Sequence, residues 1–117
     1  MFRFPAILAF AVLVGQLGAL NVAEANDAPV IQNFSATVLP GNVLWVEGNI
    51  IDENIPQVTL YIYFLDVQFD DATIDENGHF TWGISIGPDD EGWISAVAYD
   101  VFGLQSNQPE DLVIPNP

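Results

Sequence analysis

Between Leu44 and Ala98 the sequence keeps returning to one pattern, in which every second side chain is apolar. A period of two is the signature of strands, because successive side chains of an extended chain point to opposite faces. Over residues 43–51, Leu44, Val46, Gly48 and Ile50 share one face and Trp45, Glu47 and Asn49 the other. Over 79–86, Phe80, Trp82, Ile84 and Ile86 alternate with Thr81, Gly83 and Ser85. Over 93–100, Ile94, Ala96 and Ala98 alternate with Ser95, Val97 and Tyr99. Residues 57–65 set Val58, Leu60, Ile62 and Phe64 against Thr59, Tyr61, Tyr63 and Leu65. That run is apolar on both sides, as in a central strand. A helix would scatter each of these sets around its circumference.

Turn-forming residues cut the pattern into short pieces: Pro40-Gly41-Asn42, Asp52 to Pro56, Asn77-Gly78, Gly87-Pro88-Asp89-Asp90-Glu91-Gly92 and Asp100 to Gly103. Further strands are expected at 30–38, 71–75 and 107–114, with 66–70 as a connection. Pro109 confines the start of the last strand to an edge. Asn77-Gly78 predicts a type I′ hairpin, since both residues tolerate positive φ. About seven antiparallel strands at this spacing describe an all-β sandwich. Its expected core is the apolar set of each alternating strand, with Phe34 from the first and Leu112 from the last. Gly48 marks a close approach within the second strand.

The first residues carry different information. Arg3 precedes an apolar run from Ala6 to Leu20, and Ala23-Glu24-Ala25 is an A-x-A cleavage pattern. The sequence therefore predicts a signal peptide over 1–25, removed to leave one domain over 26–117. No later stretch is long and apolar enough to span a bilayer, so no membrane insertion is expected after cleavage. The expected localisation is secreted, extracellular or at the cell surface. The chain has no cysteine. Small exported domains of animals lean on disulfides, so export without them points to a bacterial source.

Charge narrows the partners. Arg3 is the one strong base in 117 residues, against 16 acids and a formal net charge of −15. Beyond the cleavage point no Lys or Arg is left to meet phosphates, which excludes nucleic acid. Anionic lipid is disfavoured for the same reason, and cations are the natural counterparts of such a field.

Three stretches resemble bacterial Ig-like domains of secreted and cell-surface proteins. They are Val46-Glu47-Gly48-Asn49-Ile50-Ile51-Asp52-Glu53-Asn54, Asp75-Glu76-Asn77-Gly78-His79-Phe80, and Ala96-Val97-Ala98-Tyr99-Asp100-Val101-Phe102-Gly103-Leu104-Gln105-Ser106-Asn107. With the strands between them, the resemblance covers nearly all of residues 30–114. It implies an immunoglobulin-like β-sandwich acting in adhesion, domain spacing or ligand display, in some members with bound calcium.

Two candidate sites follow. Alternating strand direction gathers the leader, the loop after Ile51, the 75–78 hairpin and the turn after Asp100 at one end. There Asp52, Asp75 and Asp100, with Asn54 and Asn77, offer oxygens of the kind calcium prefers. The same residue types also build turns through bonds to nearby backbone. The second candidate is an aromatic stripe of Tyr61, Tyr63 and Tyr99 on the outer face of one sheet, suited to a protein or glycan partner. Cross-strand pairing explains the same stripe structurally. Catalysis is not expected: there is no Cys, and a single His79 is too few for a usual zinc site. No cofactor beyond calcium is indicated. The expected function is a non-catalytic interaction or adhesion module. The alternative is a passive structural domain of the envelope or matrix whose acidic loops bind calcium for stability.

Overall fold

The computed structural model describes residues 27–117; the expected signal peptide over 1–25 lies outside the described residues. Eight strands follow in order: β1 (Val30–Leu39), β2 (Val43–Ile51), β3 (Thr59–Phe64), β4 (Val67–Phe69), β5 (Thr73–Ile74), β6 (His79–Ser85), β7 (Gly92–Tyr99) and β8 (Glu110–Val113). A 3-10 turn, Ile55–Gln57, stands between β2 and β3, with Pro56 in its first turn. The strands form two antiparallel sheets, ordered β1-β2-β6-β5 and β4-β3-β7-β8. This is an immunoglobulin-like sandwich. The strand more than expected is β4, which pairs with β3 where the sequence suggested a plain connection.

The even-numbered apolar residues of β2, β3, β6 and β7 turn inward, as the alternation requires. Leu44, Val46, Ile50, Leu60, Ile62, Phe64, Phe80, Trp82, Ile94, Ala96 and Ala98 are all buried, most of them completely. Full burial of a large apolar side chain contributes about 1.5–3 kcal/mol. Gly48 lies opposite Phe80 in the β2–β6 ladder, and a Cβ there would stand 2.5 Å from the phenyl ring. The expected close approach is therefore made by a ring filling the space above a glycine. Trp82 crosses to the other sheet, its ring centroid 4.8 Å from that of Phe69 on β4. Its indole N–H donates to Asp71 Oδ1 at 2.8 Å, which satisfies the polar edge of an otherwise buried ring.

Three local departures from simple alternation have visible causes. In β1, Ile31 is buried but the inward set then passes to Phe34, Ala36 and Val38. The ladder slips between Gln32 and Ser35, and Asn33 sits at φ 57°. A bulge at Asn33, a residue that tolerates the left-handed region, switches the phase from odd to even. In β8, Val113 is buried and Leu112 is 40% exposed, so the expected inward residue is the neighbouring one. The hairpin at 75–78 is not type I′. Gly78 N–H bonds to the Asp75 carbonyl and only Gly78 has positive φ, the pattern of a type I turn closed by a bulge glycine. The Asp75 carboxylate takes the backbone N–H groups of Asn77 and His79, which holds the turn in that form.

A turn with type I′ signs does occur, at Leu65-Asp66 between β3 and β4, where φ is 52° and 64°. Asp66 tolerates that region, whereas Leu65 does not favour it. Replacing the pair by the preferred residues, Leu65→Asn with Asp66→Gly, should raise stability by about 1 kcal/mol, read from the urea midpoint.

The sandwich leaves a seam between β1 of one sheet and β8 of the other, and polar side chains close it. Asn107 accepts from Ile31 N–H at 2.8 Å through Oδ1 and donates to the Ile31 carbonyl at 2.9 Å through Nδ2. It occupies the place of a neighbouring strand. The Asp111 carboxylate accepts from Ala36 N–H at 3.0 Å, and Asn116 bonds to Asn42 and to the Leu39 carbonyl. Each satisfied group avoids the cost of a stranded backbone donor or acceptor. Asn107→Leu strips two of them at once. The expected loss is about 1–3 kcal/mol, lowering the melting temperature by about 4–8 °C per kcal/mol. A calorimetric scan in which this variant melts with the wild type would show that the seam contributes nothing.

Candidate functional site

The outer face of the β4-β3-β7-β8 sheet carries a continuous aromatic and amide surface. Cross-strand register builds it in rows. Gln68, Tyr63, Ser95 and Glu110 stand abreast across all four strands. Toward one end of the sheet Trp93 pairs with Leu112. Toward the other, Tyr61 pairs with Val97 and Thr59 with Tyr99. Adjacent strands are about 4.8 Å apart, so each four-residue row is about 14 Å wide.

The three tyrosines expected to share this face do so. Tyr61 lies with its ring centroid 6.5 Å from Tyr63, tilted at 44°, and 6.0 Å from Tyr99, edge-on at 71°. All three are half-buried. Val97, opposite Tyr61, is only 2% exposed although it faces outward. The tyrosine layer therefore has a structural share in covering the sheet. It is not coplanar: the rings stand at angles to one another.

Two open depressions mark the face. The smaller, of about 410 Å³, is lined by Thr59, Tyr61, Tyr63, Gln68, Tyr99 and Gly103. The larger, of about 750 Å³, runs from Tyr63 to Trp93 and is bordered by Leu65, Asp66, Gln68, Ser95, Gln108 and Glu110. Tyr63 and Gln68 line both, so the two depressions adjoin at this pair as neighbouring stretches of a shallow groove. Its walls are held by side-chain bonds. The Tyr63 hydroxyl donates to Gln68 Oε1 at 3.1 Å, and Gln108 Nε2 donates to Ser95 Oγ at 3.1 Å.

Trp93 is the residue that sequence reasoning passed over. It is 61% exposed, the more exposed of two large apolar residues facing each other across the β7–β8 ladder. Its position was readable: Trp93 shares the odd phase of Ser95, Val97 and Tyr99, opposite to buried Ile94, Ala96 and Ala98. Gln68, Gln108 and Glu110 gave no such signal. Gln68 belongs to a strand that the alternation did not reveal, Gln108 precedes β8 and Glu110 begins it, beside Pro109, where no alternation sets the phase.

The acidic end is assembled as strand direction implies. Asp27 N–H bonds to Glu53, Ile50 N–H to the Gly78 carbonyl, and Asn107 to Ile31. Each of the expected metal ligands is engaged in its own turn. Asp52 Oδ2 accepts from Asn54 N–H at 2.9 Å. Asp75 Oδ1 accepts from Asn77 and His79, and buried Asp100 Oδ1 accepts from Phe102 and Leu104 at 2.9 Å each. Asn54 and Asn77 are exposed and enter through their backbone N–H groups. Among the described residues no three His, Cys, Asp or Glu side chains gather into a metal-holding group. Among the side-chain polar atoms of the described residues, Asp52 Oδ1 alone is buried without a hydrogen-bond partner.

His79 lies on the outer face of the other sheet. Its Nε2 is 3.4 Å from Glu47 Oε1 and its Nδ1 is 3.1 Å from Asn49 Oδ1, while Glu47 Oε2 accepts from the Trp45 indole at 3.0 Å. This is a cross-strand polar network on a flat, solvated surface. Among the described residues no helix is long and apolar enough to cross a membrane.

No family profile matches the chain, and no curated protein does. Solved structures do. The PKD domain of an M14-like peptidase from a Thermoplasmatales archaeon superposes with a TM-score of 0.62 at 21% identity, covering 79% of this chain and 100% of that one. Titin M4 superposes with a TM-score of 0.54, also at 21% identity, over 76% of this chain and 94% of that one. At this identity the likeness establishes the fold: an immunoglobulin-like, PKD-type sandwich.

Proposed function

We propose that the chain is a non-catalytic, extracellular interaction module that binds a protein or glycan partner through the outer face of the β4-β3-β7-β8 sheet. The observation that carries this reading is Trp93, an indole left 61% in water beside a groove already walled by Tyr63 and fixed amides. Exposed tryptophan next to a concave aromatic surface is the kind of residue that dominates binding interfaces. The signal segment read in the sequence supports the extracellular setting. The structural neighbours support it by fold, since sandwiches of this kind present their sheet faces and loops without catalytic machinery.

The test compares the wild type with Trp93→Ala and with Tyr61→Ala plus Tyr63→Ala on combined glycan and peptide arrays. Trp93→Ala should melt within about 0.5 kcal/mol of wild type, because the side chain is mostly solvated. Both variants should lose at least about tenfold in affinity for whatever the wild type captures. Ligands retained at full affinity by both variants would place binding elsewhere on the molecule.

A second proposal concerns the acidic end and rests on Asp52 Oδ1, the buried oxygen without a donor. Calcium bound there would stabilise the loop after β2, but six to eight oxygens are needed and Asp75 and Asp100 already serve their own turns. Isothermal calorimetry at millimolar calcium, with melting compared at matched ionic strength, decides it. A raised melting temperature abolished by Asp52→Asn supports calcium; an unmoved one removes it.

A further inference from the structure

Charge and ring geometry together restrict what the groove can hold. The described residues contain fifteen acids and neither Lys nor Arg, and their single imidazole lies on the opposite sheet beside Glu47. Every anionic partner therefore meets a repulsive field with nothing to offset it. A second copy of the chain fares no better, because it carries the same acids, Asp66 and Glu110 on this face among them, and no Lys or Arg among the described residues to meet them. Neutral sugars stack best on flat aromatic platforms, and here the tyrosine rings stand at 44° and 71° to each other. Angled rings suit a different ligand. A cation is attracted to a single ring face within about 6 Å of its centroid whatever the tilt of the neighbouring rings.

The groove supplies the remaining requirements of a cation site. Carboxylates stand on two sides of it, Asp66 from the β3–β4 turn and Glu110 from β8, with Tyr63 and Trp93 between. Asp66 reaches its place through a turn held at positive φ, which costs little at Asp66 but is unfavourable at Leu65. Backbone strain of this kind is retained where the surroundings enforce it, and it is common at binding sites. Side chains two apart on a strand repeat at about 6.6 Å, close to the 6.5 Å between the Tyr61 and Tyr63 ring centroids. An extended partner chain has the same repeat, so alternate side chains of such a segment would meet successive rings.

We propose that the groove on the β4-β3-β7-β8 sheet binds an extended segment of a partner protein that runs along β3 and bears Lys or Arg at alternate positions, with its cations against Tyr61, Tyr63 and the neighbouring Trp93 and between Asp66 and Glu110. This rests on the reading of that face as the binding surface and names its partner class. The overall negative field accelerates encounter, and the rings select cations from neutral groups.

The test uses a blocked peptide alternating arginine and glycine, titrated into the isotope-labelled protein at about 0.15 M salt, where the Debye length of about 8 Å screens remote charges. Shifts should concentrate on the Trp93 indole and on the amides of Tyr63, Gln68, Ser95 and Glu110. Trp93→Ala and Asp66→Asn plus Glu110→Gln should each weaken binding by about five- to tenfold. The first variant leaves net charge unchanged, so its loss separates ring contact from bulk attraction. Equal shifts at Asp75, Asp89 and Asp90, with affinity untouched by Trp93→Ala, would show diffuse charge attraction and overturn the proposal. If neutral oligosaccharides move the groove resonances and the peptide does not, the cationic partner is wrong while the face remains the binding surface. Silence of the groove toward both, with array ligands held elsewhere, removes the two readings together.

Discussion

Everything in this sandwich depends on one shared interior between two sheets that no disulfide joins. The chain contains no cysteine, and a domain of about 90 residues buries little more than 60% of its surface. Cohesion therefore falls on the inward residues of four strands. Phe80, Leu44, Ile50, Ile62 and Ile94 are each buried to 1% exposure or less. They lie on β2 and β6 of one sheet and β3 and β7 of the other, which are the inner strands of both. Slipping any of these by one residue would turn its whole apolar set to water. Gly48 adds a steric lock, because only a strand without a side chain at that point lets the Phe80 ring lie flat across it.

A sandwich of this kind must also manage its edges, and it does so without lengthening the ladders. β4 and β5 are only three and two residues long, which leaves little free backbone for another chain to pair with. β1 is ten residues long and would be the exposed template. Its free edge is met by Asn107 and Asp111, from the segment leading into and through β8, with Asn116 beyond it. The irregular end of the sequence, with Pro109 and Pro115, suits this task. A regular strand would present its backbone, whereas this segment presents side-chain amides and a carboxylate that bond to β1 and go no further.

The parts of the fold legible from sequence are those where one face is apolar and the other polar. β2 was readable to the residue, and β6 and β7 to within one, because their alternation admits a single phase. Phase was lost where that contrast fails. Leu112, Val113 and Ile114 are apolar in succession and contain no information about which turns inward; the bond that Ala36 N–H donates to Asp111 fixes the phase in which Val113 is buried. The bulge at Asn33 was invisible because positive φ in a strand depends on the partner strand's register, not on the residue alone. β4 was hidden for a similar reason. Its hairpin uses Leu65-Asp66, which no turn preference would select, so tertiary context overrides local propensity there. The aromatic stripe was legible as Tyr61, Tyr63 and Tyr99, but its extension to Trp93 and the amides needed the register of four strands at once.

Acidity and the aromatic face are best understood as two sides of one solution. Trp93, Leu112, Leu65 and Ile114 are each at least 40% exposed, and apolar surface of that kind ordinarily drives copies of a protein together. A net charge of −15 opposes that association at every orientation. It does so at some cost to the folded state, which must hold its acids close. Part of that cost is offset where Asp52, Asp75, Asp90, Asp100 and Asp111 accept backbone N–H groups, so that repelling charges also fasten turns and the seam. The remaining field discriminates among partners. It repels anionic surfaces and copies of the same chain, and on the binding reading proposed above it favours ligands of the opposite charge at the groove.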